Sequence, residues 1–433
     1  MLSETTPTSL QNLQERDKAT IWHPFTQMQT APAPVAIVRA SGSVLYAADG
    51  REYLDMIASW WVNLHGHSHP YIAQRVAEQL QTLEHVIFAD FTHQPAIELA
   101  ERLLQILPPN QSKIFFSDNG STAVEVALKM AFQYWHNLGK PRYKVIALED
   151  AYHGDTFGAM AVGGRSAFTA PFVPFLFDVE YLPTPVPGQE EAVLQRAEAL
   201  FSENTAAFIV EPLVQGSGGM IMYEPAILDK LFQLARQHDV LIIADEVMTG
   251  FGRTGKRFAS DYLTEKPDLM CLSKGLTGGT MALGITTCVQ RIYDAFLSTD
   301  KSKTLFHGHS FTANPVACAA SLASMDLLLS AETQANIQRI ASRHTELVSR
   351  LGTYSIVENI RHRGTLLAFD LNVSGQTSYF NSIRDTAYQF LLERGVLMRP
   401  LGNVLYLMPP YCTTDEQLNY TYDQIEALLQ SLS

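Results

Sequence analysis

The central part of the chain alternates between short apolar runs and longer stretches with helical spacing. Runs of four or five apolar residues without polar alternation predict strands that are buried on both faces of a parallel sheet. Apolar residues spaced three and four apart predict amphipathic helices between these strands. This order predicts an α/β domain with right-handed crossovers. The predicted strands are 113–116, 144–148, 206–210, 240–244 and 269–272, and the predicted helices are 71–83, 96–107, 122–135 and 227–237.

The pattern changes after residue 315. A long helical stretch begins at Val316, and two apolar runs at 365–371 and 404–407 predict strands around an amphipathic helix at 383–393. This part of the chain predicts a smaller α+β domain. The first twenty residues are polar, and we expect them to be mobile.

Composition and charge exclude several classes of protein. The 433 residues are 46% hydrophobic and 17% charged, which is typical of a globular chain. A formal net charge of −13 argues against a general nucleic-acid surface. The N-terminus lacks the apolar core of a signal peptide, and no apolar run approaches the roughly 20 residues of a membrane helix. We therefore expect a soluble, cytoplasmic protein.

The cysteines do not predict a metal site or a redox motif. The four cysteines form no CxxC pair and have no neighbouring His-x-x-x-His spacing. We expect free, mostly buried thiols in a reducing compartment. They are Cys271, Cys288, Cys318 and Cys412.

Polar residues recur at the points where apolar strands end, which is where open α/β sheets bind ligands. Gly120 and Ser121 lie between a strand and a helix start, so they form either an anion pocket or an ordinary N-cap. Asp245 ends a hydrophobic strand and needs a partner, in a ligand site or in a structural ion pair. Lys274 lies in a Gly-rich loop, either as an amine nucleophile or as a lysine that points to solvent.

Taken together, these residues match the needs of pyridoxal phosphate. The phosphate would bind at Gly120 and Ser121, Asp245 would hold the pyridine nitrogen protonated, and Lys274 would form a Schiff base with the aldehyde. Lys274 must be neutral to attack, so we expect its pKa to lie below that of free lysine. Tyr152 could stack on the ring or pack against the sheet. A nucleotide-binding oxidoreductase is the alternative, but no Gly-rich fingerprint lies cleanly between a strand and a helix start.

Five segments together resemble the class III aminotransferases of fold type I. These are SDNGSTAVEVALKMA (117–131), AYHGDT (151–156), EPLVQGSGGM (211–220), LIIADEVMTGFGRTG (241–255) and PDLMCLSKGLTGGTM (267–281). The resemblance implies a homodimer that binds pyridoxal phosphate and a large domain with a mostly parallel, seven-stranded sheet between helices. It places that domain at 60–315, with an N-terminal segment (1–59) that joins the small domain and a connecting helix and C-terminal small domain at 316–433.

Other segments resemble the branch of this family that serves biotin synthesis. They include WHPFTQM (22–28), SWWVNLHGHSHP (59–70), FHGHSFTANPVACAA (306–320) and MRPLGNVLYLMPPY (398–411). This likeness implies transfer of an amino group from S-adenosylmethionine, or from lysine, to 8-amino-7-oxononanoate. An ω-aminotransferase that uses lysine, ornithine or 4-aminobutyrate is the alternative within the family, and a catalytically silent scaffold is a further one.

The resemblance also assigns a role to each candidate residue. Lys274 would be the Schiff-base lysine and proton shuttle, Asp245 would pair with the pyridine nitrogen, and Tyr152 would cover the ring. Gly120 and Ser121 would hold the phosphate within one subunit. His309 and Ser310 would reach the phosphate of the other subunit. The residues expected to contact the substrates are Phe25, Trp60, Tyr152, Lys274, Gly308 and Arg399.

One position departs from the family pattern, and the roles of several others are less specific. Many members have Tyr where this chain has Phe25, which removes a hydrogen bond worth about 0.5–1.5 kcal/mol and leaves the amino donor open. Arg399 suits the carboxylate of the acceptor. Because successive side chains diverge, at most one of Trp60 and Trp61 is expected to line a pocket. Further pocket candidates are Arg253 and Tyr406.

Overall fold

The structure, a computed structural model, describes residues 13–373 and 381–432. Its strands in chain order are β1 (Ile37–Ser41), β2 (Val44–Ala47), β3 (Glu52–Asp55), β4 (Gln111–Ser117), β5 (Lys144–Leu148), β6 (Glu180–Leu182), β7 (Thr205–Val210), β8 (Val214–Gln215), β9 (Ile221–Met222), β10 (Leu241–Asp245), β11 (Leu269–Leu272), β12 (Gly284–Val289), β13 (Val357–Arg363), β14 (Leu366–Leu371), β15 (Val396–Leu397) and β16 (Val404–Leu407).

The helices fill the connections between these strands. They are α1 (Leu13–Thr20), α2 (Ala58–Trp61), α3 (Pro70–Thr82), α4 (Gln94–Ile106), α5 (Gly120–Asn137), α6 (Phe157–Val162), α7 (Glu190–Leu200), α8 (Pro225–Gln237), α9 (Gln290–Asp294), α10 (Pro315–Leu328), α11 (Ala331–Leu351), α12 (Ile383–Glu393) and α13 (Asp415–Leu432). Short 3₁₀ turns lie at Ala170–Phe175, Ala259–Tyr262, Lys274–Thr277 and Lys301–Lys303.

The largest sheet has seven strands in the order β4-β12-β11-β10-β7-β5-β6. Strand β12 is antiparallel to both of its neighbours, and the remaining pairs are parallel. Strands β7, β10 and β11 are buried along their whole length, as continuous apolar runs predict for a sheet covered on both faces. The predicted fold class, an α/β protein with a mostly parallel seven-stranded sheet, is confirmed.

Strand β12 was not predicted from the sequence, because two threonines interrupt its apolar run. Both threonines are nevertheless fully buried. The Thr286 hydroxyl donates to the Ala123 carbonyl oxygen at 2.7 Å, and the Thr287 hydroxyl donates to the Gln111 side chain at 2.5 Å. Hydrogen bonds of this kind remove most of the penalty for burying a hydroxyl, so a polar residue can occupy a central strand.

A second sheet joins the two ends of the chain. Its strand order is β1-β2-β3-β15, and β3 runs parallel to β15. A third sheet, β13-β14-β16, shows that the strand predicted at 365–371 is the second arm of a hairpin. The division into parts at residues 60 and 315 stays a prediction.

Part of the polar N-terminal segment forms a helix. Helix α1 has no buried residue, yet it is attached to the following chain by polar contacts. The Asp17 carboxylate lies 2.8 Å from His23 Nε2, and the Gln14 amide donates to the Pro34 carbonyl oxygen at 2.7 Å. Residues 13–20 therefore form a helix with polar contacts, and their mobility stays a prediction; residues 1–12 lie outside the described residues.

The helices and the cysteines bear on the expected location of the protein and on its expected free thiols. Within 13–373 and 381–432, no single helix combines the length and apolar character needed to cross a bilayer, and α10 and α11 pass that test only as a pair bent by 68°. The cytoplasmic location stays a prediction. Cys271, Cys288 and Cys318 are buried free thiols, whereas the free thiol Cys412 is partly exposed.

Candidate active site

A cavity of about 430 Å³ opens at the carboxyl ends of the parallel strands. Its walls come from the residues that follow β4, β5, β7, β10 and β11. Five residues that were predicted from the sequence line it together, although the first and the last of them are more than 150 positions apart in the chain. These five are Gly120, Ser121, Tyr152, Asp245 and Lys274.

The N-terminus of α5 forms one wall of the cavity and suits an anion. The Asn119 side chain caps the helix by accepting from Thr122 N at 3.0 Å, and the Thr122 hydroxyl accepts in return from Asn119 N. This capping box uses the Thr122 N–H and leaves the N–H groups of Gly120 and Ser121 for an anion at the positive end of the helix. The segment is therefore a capped helix start and an anion cradle at once.

Gly154 closes this cradle from the opposite side. Its φ of 129° lies in a region that side chains disfavour, and a Cβ at this position would lie 2.1 Å from Ser121 Oγ. The following residue, Asp155, donates its backbone N–H to Ser121 Oγ at 3.3 Å. Only a residue without a Cβ allows the loop after β5 to approach Ser121 this closely.

Asp245 ends β10 inside the protein and has two hydrogen-bond donors. Its Oδ1 accepts from Val247 N at 3.1 Å, and its Oδ2 lies 2.7 Å from Nδ1 of His153. The side chains of Asp245 and His153 are both buried. His153 was not among the sequence-predicted site residues, although it directly follows Tyr152, and it is the partner that a buried carboxylate at this position required.

Lys274 follows β11 and lines the same cavity. Burial lowers the pKa of Lys274, although the carboxylates of Asp245 and Glu211 act in the opposite direction. The neutral amine is the form that can act as a nucleophile, so the direction agrees with the sequence-based expectation. The backbone of Lys274 has a φ of 46°, and its Nζ lies 5.1 Å from the centre of the Trp61 ring.

Tyr152 is fixed through its backbone and its hydroxyl. Its N–H donates to Glu211 Oε1 at 2.9 Å, and its hydroxyl donates to Asp155 Oδ2 at 3.0 Å. Burial, followed by the nearby Asp155 carboxylate, raises the pKa of the Tyr152 hydroxyl. The phenol therefore stays protonated, and its ring is held at the wall of the cavity.

Glu211 is a second residue that sequence reasoning did not place in the site. Its Oε1 accepts from Tyr152 N, and its Oε2 accepts from Gly216 N at 3.0 Å. Burial raises the pKa of Glu211 to about 7, and His153 acts in the opposite direction. The signal in the sequence was a glutamate directly after a fully buried strand, in the same relation to β7 that Asp245 has to β10.

We expect Glu211 to make the stability of the apoprotein depend on pH. Because its folded pKa is raised above the ordinary value of 4.5, its ionisation costs more in the folded protein than in the unfolded chain. The free energy of unfolding should fall by on the order of 2–3 kcal/mol as the pH rises from 4.5 to about 7. Glu211→Gln cannot titrate and should lack this fall in urea unfolding at several pH values.

The control for this measurement is Glu198→Gln, which changes an exposed glutamate on α7. It should unfold with the same pH dependence as the natural chain. If Glu211→Gln and the natural chain gave parallel curves, the raised pKa of Glu211 would be refuted.

Trp61 forms the aromatic wall of the cavity. From the sequence, Trp60 had instead been assigned to the substrate site. The indole N–H of Trp61 donates to the Tyr406 hydroxyl at 3.0 Å. Trp60 points elsewhere: its ring packs edge-on against Phe25 at 5.7 Å, and the Arg399 guanidinium lies 5.2 Å from its centre. Phe25, Trp60 and Arg399 thus form one contact cluster that is separate from the cavity lining.

The other predicted residues also lie outside the lining of this cavity. His309 Nδ1 lies 3.5 Å from the carboxylate of Asp118, which immediately precedes the helix cap of the anion cradle. The Ser310 carbonyl oxygen is 2.7 Å from His85 Nε2, and a Cβ on Gly308 would meet open space. These three residues therefore lie on a loop beside the cradle.

Arg253 is buried away from the cavity, and its contacts are structural. Its two terminal nitrogens donate to the carbonyl oxygens of Pro409, at 2.8 Å, and Asn63, at 3.0 Å. Burial lowers the pKa of its guanidinium. Arg253 therefore links the segment before α3 to the segment after β16. Tyr406 contacts Trp61 through the hydrogen bond from the indole N–H.

These groups fit pyridoxal phosphate. The cradle of α5 suits a phosphate, a buried carboxylate suits a protonated pyridine nitrogen, and an amine with a lowered pKa suits an aldehyde. His153 Nε2 is buried without a hydrogen-bond partner among the described residues, which marks the region around Asp245 as one that serves more than packing.

Comparisons with known proteins agree with this chemistry. The family model for class-III aminotransferases matches residues 25–429. The adenosylmethionine-8-amino-7-oxononanoate aminotransferase of Synechococcus elongatus is 50% identical over 95% of this chain and 99% of that protein. The enzyme of the same name from Geobacter sulfurreducens is 39% identical over 98% of both chains.

Solved structures show the same relationship. The crystal structure of adenosylmethionine-8-amino-7-oxononanoate aminotransferase from Methanocaldococcus jannaschii superposes with a TM-score of 0.92 at 35% identity, covering 97% of this chain and 99% of that one. An omega transaminase from Pseudomonas jessenii, in complex with PMP, gives 0.90 at 27% identity, covering 97% and 98%. The chain therefore belongs to the class III aminotransferases, a family of transferases that depend on pyridoxal phosphate.

Proposed function

We propose that this protein transfers an amino group to 8-amino-7-oxononanoate to give 7,8-diaminononanoate, a step of biotin biosynthesis. S-adenosylmethionine is the proposed donor, and lysine is the alternative donor. The observation that carries the proposal is the 50% identity to the Synechococcus elongatus enzyme across nearly the whole of both chains. The omega transaminase of Pseudomonas jessenii is more distant, at 27% identity.

In this proposal each residue of the cavity has a separate role. Pyridoxal phosphate, when bound, supplies the aldehyde that carries the amino group and a ring that withdraws electrons. Gly120 and Ser121 would hold the phosphate through backbone N–H groups, and Asp245 would keep the ring nitrogen protonated. Lys274, whose pKa is lowered by burial, would accept a proton at Nζ and return it. Tyr152, which lines the cavity, would cover the ring and exclude water from that face.

The cluster of Phe25, Trp60 and Arg399 is the proposed contact for the acceptor. Arg399 offers a planar guanidinium that can bind the carboxylate of 8-amino-7-oxononanoate with two hydrogen bonds. The Trp60 ring, 5.2 Å from this guanidinium, is 44% exposed and available to the apolar chain of the acceptor. Gly308 is a further proposed contact for the acceptor, and a Cβ there would meet open space within its own chain.

Arg399→Ala should therefore weaken binding of the acceptor. We expect its KM for 8-amino-7-oxononanoate to rise about 10- to 100-fold, since charge-assisted hydrogen bonds are worth about 1.5–3 kcal/mol. The KM for the donor should change little. Arg399→Lys keeps the charge without the bidentate geometry. Its KM for the acceptor should lie between those of the natural chain and Arg399→Ala. Steady-state kinetics with each substrate varied provide the test, and an unchanged acceptor KM in Arg399→Ala would remove Arg399 from the proposal.

The reaction itself is tested with the purified protein and a fixed concentration of 8-amino-7-oxononanoate. S-adenosylmethionine and lysine are compared as donors, and 7,8-diaminononanoate is measured by mass spectrometry. Formation of this product supports the proposal and identifies the donor, which Phe25 leaves open. If neither donor gives product while lysine, ornithine or 4-aminobutyrate donates to a simple keto acid, the protein is an ω-aminotransferase instead.

We also propose that two copies of the chain form a homodimer that shares its active sites. His309 and Ser310 of one subunit would reach the phosphate bound by the other. Two exposed aromatic side chains flank this pair: Phe306 is 70% exposed and Phe311 is 61% exposed. Apolar side chains this exposed on one loop favour a protein partner. Sedimentation equilibrium tests the proposal, and a monomeric mass would contradict it.

A further inference from the structure

The segment between β3 and α3 holds two tryptophans in a strained turn, residues 57–61. Ser59 has a φ of 60° and a ψ of −96°, which is close to the rare and strained γ-turn conformation, and Ala58 and Trp61 also have positive φ. Such a conformation costs about 1–3 kcal/mol for each residue that is not glycine. The turn therefore persists only because its surroundings hold it in place.

Asp55, the last residue of β3, holds this turn from inside the protein. Its side chain is fully buried, and its Oδ1 accepts from Ile57 N at 3.3 Å. Its Oδ2 accepts from Ser59 N at 2.7 Å and from the Ser59 hydroxyl at 3.4 Å. One carboxylate therefore binds the backbone N–H groups on both sides of Ala58.

His67 binds the same carboxylate from the other end of the segment. Its Nε2 lies 2.8 Å from Asp55 Oδ2. Asn63 Oδ1 accepts from Gly66 N at 2.8 Å, which directs the Asn63 amide N–H toward His67 Nδ1 at 3.3 Å. Nδ1 is then an acceptor, so Nε2 carries the proton and donates it to Asp55.

The turn starts next to the strand that leads to Arg399. Asp55 lies opposite Leu397 of β15 in the parallel pair, and Met56 N donates to the Leu397 carbonyl oxygen at 3.1 Å. Arg399 follows Leu397 by two residues, and its guanidinium lies 5.2 Å from the centre of the Trp60 ring. Because the start of the turn is fixed beside β15, the fold of the turn determines whether Trp60 meets Arg399.

The turn also starts next to the chain that carries Tyr406. Met408, two residues after Tyr406, donates its backbone N–H to the Met56 carbonyl oxygen at 2.8 Å. The Tyr406 hydroxyl accepts from the indole N–H of Trp61, and the centre of the Trp61 ring lies 5.1 Å from Lys274 Nζ. The same turn therefore determines which tryptophan lines the cavity.

We propose that Asp55, together with its donor His67, is a positioning residue that holds this turn and thereby presents Trp60 to the acceptor and Trp61 to the cavity. This inference rests on the acceptor contact of the proposed function. Within 13–373 and 381–432, the Asp55 carboxylate makes hydrogen bonds only to the turn and to His67. Asp55 therefore acts on the substrate through the tryptophans.

Asp55 also has an electrostatic role, which is distinct from positioning. Burial lowers the pKa of the Arg253 guanidinium, and the charge of Asp55 acts in the opposite direction. Loss of the carboxylate would therefore also disturb Arg253. His67→Leu leaves the charge of Asp55 in place and removes one donor to it, so the two roles can be tested apart.

The test measures the KM for 8-amino-7-oxononanoate at saturating donor. Asp55→Asn keeps the shape of the side chain but has one carbonyl oxygen, so it accepts from only one side of the turn. We expect its acceptor KM to rise about tenfold, and that of His67→Leu about three- to tenfold. His67→Gln places an amide N–H near the position of Nε2 and should lie within about threefold of the natural chain.

A double-mutant cycle with Trp60→Ala separates positioning from a general loss of stability. Trp60→Ala removes the ring through which Asp55 acts on the acceptor. Adding Asp55→Asn to this variant should therefore raise the acceptor KM by less than about twofold. A general loosening of the fold would act equally in both backgrounds, and the two effects would multiply.

Hydrogen exchange gives a readout that needs neither cofactor nor substrate. In the apoprotein, the peptide that contains residues 57–61 should exchange faster in Asp55→Asn than in the natural chain, because a backbone N–H loses its acceptor. His67→Leu should show a smaller change of the same kind. Natural exchange of this peptide in both variants would overturn the inference.

Asp268→Asn is the matched control. Asp268 is also a buried carboxylate that accepts from a backbone N–H, that of Ile242 at 2.8 Å. It directly precedes β11, whereas the cavity lies at the carboxyl ends of the strands. This variant should melt at a lower temperature and keep both the natural acceptor KM and the natural exchange of residues 57–61.

The outcomes separate this inference from the proposed function. If the natural chain makes no 7,8-diaminononanoate, the proposed function fails. If the natural chain makes it, and folded Asp55→Asn and His67→Leu variants have the natural acceptor KM, only the inference about Asp55 is overturned. Equal effects of Asp55→Asn with and without Trp60→Ala also overturn it. Should Asp55→Asn fail to fold, His67→Leu takes its place in the cycle.

Discussion

Lys274→Ala is expected to lower the turnover of 8-amino-7-oxononanoate by about 10⁴-fold or more. The variant loses both the amine that reacts with the cofactor aldehyde and the group that moves the proton, and each of these contributes orders of magnitude. Arginine cannot lose its proton in proteins, so Lys274→Arg should be equally inactive although it keeps the charge. Turnover is measured by mass spectrometry of the product with saturating donor.

The fold should survive this substitution. Burial already disfavours the charged form of Lys274, so its removal deletes no favourable solvation in the folded protein. The melting temperature should stay close to that of the natural chain. Lys140→Ala, at an exposed lysine after α5, is the control and should keep full turnover. If Lys274→Ala kept a tenth of the natural turnover, Lys274 could not be the reacting amine.

Gly154→Ala is the second change with a large expected effect, and it acts on the phosphate cradle. The new methyl group would lie 2.1 Å from Ser121 Oγ and 2.9 Å from Ser121 Cα, so the loop after β5 or the start of α5 would have to shift. Overpacking of this kind costs about 1–3 kcal/mol. We expect the affinity for pyridoxal phosphate to fall about 10- to 100-fold.

Gly188→Ala separates this clash from backbone strain. Gly188 also has a positive φ, of 86°, but a Cβ there would meet no atom within 4 Å. Its substitution should lower stability slightly and leave the cofactor affinity unchanged. Natural affinity in Gly154→Ala would show that Ser121 does not hold the phosphate.

Much of this site could be predicted because parallel strands impose a simple rule. A strand that is buried on both faces must be apolar along its length, so the first polar residue after it marks the edge where ligands bind. Asp245 is the last residue of β10, and Lys274 follows β11 after Ser273, so both lie at the edge that this rule marks. Gly120 and Ser121 follow it through the helix start that comes after β4.

What the sequence could not predict depends on backbone conformation. Ala58, Ser59 and Trp61 have φ values of 50°, 60° and 68°, in a region that residues other than glycine rarely adopt. This conformation turns Trp61 into the cavity and Trp60 away from it, and no helical or strand periodicity carries that information. The tertiary structure imposes it, and the cost of order 1–3 kcal/mol per residue is offset elsewhere.

The hydrogen-bond partners of the predicted residues could not be predicted from the sequence either. His153 binds Asp245 across 92 positions of the chain, and Glu211 binds Tyr152 N across 59. A single sequence shows that a buried carboxylate needs a donor, but it does not show which donor the topology brings to it. Glu211 lies directly after β7 and His153 lies on the loop after β5, so the strand order of the sheet supplies the missing information.

The most direct test of the central claim is borohydride reduction of the protein with bound pyridoxal phosphate, followed by peptide mass mapping. The claim is that Lys274, Asp245 and the α5 cradle surround one cofactor. It predicts a yellow protein that bleaches on reduction, with one pyridoxyl group per chain on the peptide that contains Lys274. A label on a different lysine, or a colourless protein that binds a nicotinamide cofactor instead, would contradict it.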